Sequence, residues 1–326
     1  MSTQAVPGKS QIKFKSSNAP IDKKPRKKIA PMRRQDRWGM LFVSPFFIVF
    51  LAFGLIPILF TTYVAFFNWD ALGGAPEYIG FANFKELWSD TYFWQALRNT
   101  FSIWFISTVP QMTLALGIAT LLANPNLRAK VFWRTVLLVP NITSVLAVAI
   151  VFQQLFGYDF GMINLAITWL GYHHIDWVGN QLASHIAIAT MINWRWFGYN
   201  SLIFLASMQA IPRELYESAS LDGANRWQQF RYVTIPQLRN TIIFMMIMGT
   251  IGGLQVFAEP LLYGGGMTGG DSRQFSTLTL YLFEQAFFNQ RYGYGAVIGI
   301  AMTVIIIAIS VLNYLIGRRI ATDGTK

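Results

Sequence analysis

The chain reads as long apolar runs separated by short polar stretches. A helix that crosses a bilayer needs roughly 20 apolar residues at about 1.5 Å rise per residue. Six runs qualify, covering residues 39–67, 100–122, 135–155, 182–208, 241–263 and 292–316. Helices are expected in them, because in lipid each span must satisfy its own backbone polar groups. The alternating segments of about ten residues that mark a membrane barrel are not seen. The pattern therefore predicts an all-α integral membrane protein with six transmembrane helices. A tail over 1–38 precedes a membrane domain over 39–319, and a short tail over 320–326 follows it.

Composition agrees with this pattern. Of the 326 residues, 53% are hydrophobic and 13% charged, which argues against a soluble domain. Cysteine is absent, so no disulfide or thiolate metal site is available. His173, His174 and His185 form no ligand motif, and the adjacent pair is expected in an exposed loop. No metal and no cofactor are predicted.

The net charge of +11 raises a nucleic-acid reading, but the placement of the charge argues against it. Eleven of the 26 Lys and Arg precede residue 39, with "KKPRKK" the densest part. Such a tail reads as disordered, and it suits orientation and attraction to anionic lipid headgroups. The run that follows is too long for a signal peptide and lacks a small-residue cleavage site. With the N-terminus inside, 21 of the 26 basic residues fall in inside segments and four outside, and Arg195 lies within a span. This bias puts both termini in the cytoplasm.

Three outer connections, 68–99, 156–181 and 264–291, are long. The last opens with "GGGMTGGDS", read as a flexible turn, and continues as "FSTLTLYLFEQAFF", read as an interfacial helix. No G-x-x-x-x-G-K-[ST] phosphate loop is present anywhere, so no nucleotide site is expected in this chain.

The inner connection over 211–236 is polar but patterned. Pro212 suits a helix start, and Glu214 and Glu217 complement the helix dipole in the first turns. Leu215, Ser218, Ala219 and Asp222 recur at helical spacing, with Ser218 and Ala219 leaving room for close approach. Gly223 suits a left-handed cap, and Trp227 and Phe230 follow on one side of a second short helix. Periodicity alone equally allows an ordinary amphipathic connector on the membrane surface.

The spacing of Glu217, Ala219, Gly223, Val233, Ile235 and Pro236 fits E-A-A, three residues, G, nine residues, I-x-L-P. It resembles the signature loop of the integral-membrane subunits of ATP-binding-cassette importers. The wider string "AIPRELYESASLDGANRWQQFRYVTIP" is similar to the carbohydrate, maltose-permease-like branch in its six-span form. Ser218, Val233 and Ile235 depart from the pattern conservatively. "VFWRTVLLVPNITSVLAVAIVFQQLF", with Pro140, and "YGYGAVIGIAMTVI" extend the resemblance to roughly residues 37–319.

The resemblance implies the type I importer fold in a bacterial or archaeal cytoplasmic membrane, forming half of a translocation pathway for a sugar. It implies a second homologous permease subunit in a heterodimer, two separate ATPase subunits and an extracytoplasmic sugar-binding protein. The loop becomes a coupling helix in an ATPase cleft, carried by Glu214, Glu217, Ser218, Ala219, Asp222 and Gly223. No catalytic residue is implied.

The family's sugar contacts match Asn141, Asn193, Trp194, Arg195, Trp196, Gly253, Gln255 and Val256. Arg195 reads either as a solute contact or as a buried group bonded to carbonyls or water. The glycines at 252 and 253 read either as ligand space or as close helix packing. An anionic solute such as glycerol-3-phosphate stays open, because Arg195 would favour it. An ion-coupled secondary transporter would instead need internal repeats and several intramembrane carboxylates, and only Glu259 lies near a span interior.

Overall fold

The computed structural model describes residues 34–70, 75–264 and 266–322, with side chains over 38–70, 75–264 and 266–317. The basic "KKPRKK" stretch and residues 323–326 of the short C-terminal tail lie outside the described residues. The chain divides into two units, residues 1–57 and 58–326. In the first, α1 (Arg34–Phe50) passes through a π turn over Leu51–Leu55 into the start of α2 (Ile56–Val64). Within it, Phe46 and Phe50 stack with centroids 6.3 Å apart, one helical turn from each other.

The second unit continues from α2 into a two-stranded ribbon, β1 (Phe67–Asn68) and β2 (Glu77–Tyr78), and the short α3 (Ala82–Ser89). Then come α4 (Thr91–Ala123), α5 (Lys130–Ile142), α6 (Val145–Leu155), α7 (Met162–Trp169) and α8 (Gln181–Gln209). Three short helices follow, α9 (Arg213–Leu221), α10 (Arg226–Gln229) and α11 (Ile235–Gln237). The chain ends with α12 (Arg239–Leu254), α13 (Ala258–Gly264), α14 (Leu278–Phe283) and α15 (Tyr292–Thr322).

Among the described residues, three unbroken stretches are long and apolar enough to cross a membrane: Trp38–Val64, Thr91–Ala123 and Tyr292–Gly317. The expected third and fifth spans are not single helices. The third is α5 and α6, bent by 90°, and the fifth is α12 and α13, bent by 41°. At the first bend Pro140 has no N–H to give, and Thr143 turns extended while its hydroxyl donates to the Val139 carbonyl at 2.7 Å. A hydropathy pattern runs through such a bend unchanged.

The expected fourth span, α8, is long enough at 29 residues, about 43 Å. It falls short on apolarity. The reason is its place: α8 packs most extensively of all on α4, and also on α5. Its buried positions include Ala183, Ser184, Ala187 and Ala189, and α4 presents Ala115 and Ala119. Small residues let two backbones approach closely, which matters where lipid offers little hydrophobic drive for helix pairing. Polar side chains on such a helix meet protein rather than lipid.

The segment over 266–291 differs from its sequence reading. The end of the glycine-rich turn and the residues just after it are tied down: Gln95 Nε2 donates to the Ser272 carbonyl (2.9 Å), and Asn99 Nδ2 to those of Arg273 (2.9 Å) and Ser276 (3.1 Å). His185 Nε2 donates to the Gln274 carbonyl at 2.8 Å, with the Ser102 hydroxyl 2.8 Å from Nδ1. The expected interfacial helix is buried at Leu278, Leu280, Tyr281, Glu284 and Gln285, and its outer Phe287 and Phe288 stay exposed. Arg273 forks onto Glu284 at 2.6 Å and lies 4.6 Å from the Tyr92 ring centroid. The hydrogen bonds that Arg273 donates to Glu284 hold the pKa of its guanidinium above the ordinary value.

Asn99 is fully buried and also accepts from Gln181 at 2.8 Å. Asn99→Leu would leave those partners unmet, each at a cost of about 1–3 kcal/mol. Amide hydrogen exchange over 272–278 is expected to speed up at least about tenfold in this variant, with the α4–α8 pair protected as before. Unchanged exchange would remove Asn99 as the tie.

Candidate functional site

Two sites stand out, one inside the helices and one on the inner connection. The first is a cavity of about 660 Å³ between α4, α8 and the α12–α13 bend. On α8, Ile192, Trp196, Tyr199 and Ile203 line it at spacings of four, three and four, which places them on one helical face. Trp196 and Tyr199 meet edge to face, with centroids 6.0 Å apart. Asn200 lies beside them and donates to Gln111 of α4 at 3.1 Å. Ser107 and Thr108 add hydroxyls one turn earlier on α4.

The α12–α13 bend exposes the other wall. Gln255 ends α12 and is exposed, and Val256 is buried, its carbonyl accepting from Thr277 at 2.8 Å. The two neighbouring glycines divide the readings between them. A Cβ on Gly252 would meet nothing within 4 Å, so that position is open space. A Cβ on Gly253 would fall 2.5 Å from Trp104 Cδ1, so that position is close helix packing.

Arg195 is the fifteenth of the 29 residues of α8. Its Nη1 pairs with Glu259 Oε1 of α13 at 2.5 Å, and the two side chains are 16% and 9% exposed. Nothing in the sequence points to Glu259 as the partner of Arg195. It lies 64 residues from Arg195, so only its position close to a span interior marked it. Gln111, Tyr199 and Asn200 are likewise brought together by the fold.

Of the residues singled out from the sequence, Arg195, Trp196, Gly253, Gln255 and Val256 line the cavity. Asn141, Asn193 and Trp194 do not. Trp194 is two positions from Trp196, so it points to nearly the opposite side, where it meets Phe152 at 6.0 Å. Asn193 is partly buried with an unpartnered Oδ1. Asn141 is the last residue but one of α5, just before the 90° bend, and from the stretch beyond it only Val145 reaches the cavity. Among the described residues there is no group of three or more His, Cys, Asp or Glu placed to hold a metal ion.

The second site is α9 to α11. Pro212 precedes α9, Glu214 sits in its first turn and Asp222 is its C-cap. Gly223 takes φ +79°. Ala224 N donates to the Ala219 carbonyl (2.9 Å) and Gly223 N to that of Ser220 (3.1 Å), the two bonds of a Schellman motif. Asn225 and Gln228 then form a reciprocal capping box that starts α10.

Cross-links stiffen the corner. Gln229 donates to the Ser220 hydroxyl at 2.9 Å, and the hydroxyls of Tyr216 and Thr234 lie 2.9 Å apart. Tyr216 and Ala219 are partly buried, whereas Glu214, Glu217, Ser218 and Asp222 face solvent. Ser218 and Ala219 therefore do not share one open face. Leu221, Trp227 and Tyr232 are left 90%, 71% and 72% exposed, with Trp227 tilted against Phe230 at 5.6 Å. The corner is thus stiff and capped, with a large apolar exposure.

Comparisons with known proteins bear on the family and the fold. Residues 111–322 match the family described as binding-protein-dependent transport system inner membrane component. The lactose transport system permease protein LacF of Rhizobium radiobacter is 36% identical over 291 residues, 88% of this chain and 96% of that protein. The arabinooligosaccharides transport system permease protein AraP of Halalkalibacterium halodurans is 30% identical, over 85% of this chain and 87% of its own. Among solved structures, a bacterial alginate ABC transporter in complex with an alginate pentasaccharide-bound periplasmic protein contains a chain of the same fold. It has a TM-score of 0.74 at 22% identity and covers 88% of this chain and 96% of that one.

Proposed function

From a chain that belongs to the family of binding-protein-dependent transport system inner membrane components, and is thus a permease subunit of an importer, we infer the solute, the partners and the drive. The solute is a sugar or oligosaccharide. The observation that carries this is the cavity lining: the rings of Trp196 and Tyr199 stand beside the amides of Gln111, Asn200 and Gln255. Aromatic faces suit the apolar faces of a pyranose, and neutral amides suit its hydroxyls. The similarity to permeases named for lactose and arabinooligosaccharide transport supports the same solute class.

In this reading the chain encloses half of the pathway and a second permease subunit encloses the rest. An extracytoplasmic binding protein delivers the sugar to the outer connections. One of two ATPase subunits receives α9 in its cleft, with Glu214, Glu217, Ser218, Asp222 and Leu221 turned outward to meet it. Both termini are cytoplasmic, which puts α9 on the same side as the ATPases. ATP closure would pull α9 and rock the spans.

The experiment is reconstitution of this chain with its partner permease, ATPase and binding protein in liposomes. Uptake of labelled lactose, arabinotriose and maltose is measured with ATP inside. Uptake of at least one should need ATP, and Trp196→Ala should reduce it about tenfold, the equivalent of ~1.4 kcal/mol. Uptake driven by a proton gradient in vesicles without the ATPase would sink the reading.

A further inference from the structure

We propose that Glu259 sets the solute charge that the cavity accepts: by neutralising Arg195 it makes the cavity one for uncharged polyhydroxylated solutes and closes it to anionic ones. The proposal rests on the cavity being the solute pathway. Among the residues lining it, Arg195 is the one cation and Glu259 the one anion, and they are paired at 2.5 Å. The other polar lining groups, among them Gln111, Tyr199, Asn200 and Gln255, are uncharged.

An unpaired guanidinium in a cavity with low-dielectric walls focuses field lines and raises the local concentration of anions. A carboxylate in contact with it cancels most of that field, and what is left is a short dipole. Arg195 nonetheless keeps something to offer. Only one contact, Nη1 to Oε1, joins the pair, so guanidinium N–H groups that Glu259 does not take can donate to a neutral hydroxyl or ring oxygen. The pair thus supplies hydrogen bonding without net charge. That combination fits a neutral sugar and disfavours a phosphate or carboxylate. Arg195 read alone in the sequence favoured the anion, and its partner reverses the preference.

Trp196 lines the same cavity and is a built-in reporter. Its fluorescence is isolated in the full-length, detergent-solubilised chain as the difference from Trp196→Phe. Quenching is measured with iodide as the anionic probe, caesium as the cationic one and acrylamide as the neutral one. In Glu259→Gln the iodide quenching constant is expected to rise at least about threefold, with the acrylamide constant unchanged. Removing both charges, in Arg195→Gln with Glu259→Gln, should return iodide quenching to the wild-type value. Equal iodide constants in wild type and Glu259→Gln, at equal acrylamide constants, overturn the proposal.

Where Glu259→Gln gives no folded protein, Arg195→Gln leaves Glu259 alone and should raise caesium quenching instead. No rise there overturns the proposal equally. The underlying reading has its own test. Gly252→Trp fills open space in the cavity, and unimpaired ATP-driven uptake, by the assembled importer carrying it, of whichever of lactose, arabinotriose and maltose the wild type imports would show that the cavity is not the pathway. The quenching result does not depend on that outcome.

Discussion

Gly198→Ala is expected to be strongly destabilising for a single added methyl. A Cβ at that position would stand 1.9 Å from the Leu137 carbonyl oxygen and 2.8 Å from its carbon. The obstacle is backbone, so no rotamer change can relieve it. Either α5 moves away from α8 or α8 bends, and both loosen the packing around buried Asn200, Ser201 and Phe204. Overpacking of this kind costs typically about 1–3 kcal/mol and more where backbone must shift. The measurement is the thermal unfolding midpoint in detergent beside the yield of inserted protein. Both should fall sharply. Gly252→Ala is the control, because nothing lies within 4 Å of its Cβ. On an open helical position alanine is worth about 1 kcal/mol more than glycine, so the control should hold or gain. A wild-type midpoint for Gly198→Ala would mean that α5 does not press on α8 at this point.

Gly223→Val is expected to leave the membrane helices folded and abolish coupled transport. Gly223 sits at φ +79° in the C′ position of the α9 Schellman motif. An L residue there costs about 1–2 kcal/mol, and a β-branched one more. The strain is relieved by unwinding the last turn of α9, which carries Ala219 to Asp222. The corner is exposed and contributes little to the helix core, so the unfolding midpoint should stay near wild type. A frayed α9 would bend instead of transmitting motion, so ATP-driven uptake by the assembled importer should drop at least about tenfold. Gly223→Asn should retain part of it, since asparagine tolerates the left-handed region. Full uptake with Gly223→Val would mean that the corner need not be stiff.

The two glycines illustrate how far local sequence reaches. Gly223 was legible as a cap because a helix end is a local event: proline at one end, acidic residues in the first turn and glycine just past the other end lie within a dozen residues. Gly198 gave no such signal, because its reason is a carbonyl 61 positions away in α5.

The same division holds for the whole chain. The sequence by itself determined that this is a helical membrane protein, roughly where its spans lie and where the polar corner of α9 and α10 begins and ends. Those properties follow from runs and periods, which neighbouring residues carry. The tertiary structure decided the rest. It bent the third span by 90° inside an unbroken apolar run, because a window of hydropathy has no direction. It turned Trp196 into the cavity and Trp194 away from it, because burial depends on which helix packs on which face. It brought the 274–286 stretch into contact with α4, α8 and α15 instead of an interface. Finally it joined Arg195 to Glu259, so the charge of the cavity became a property of two helices, and neither one's sequence contains it.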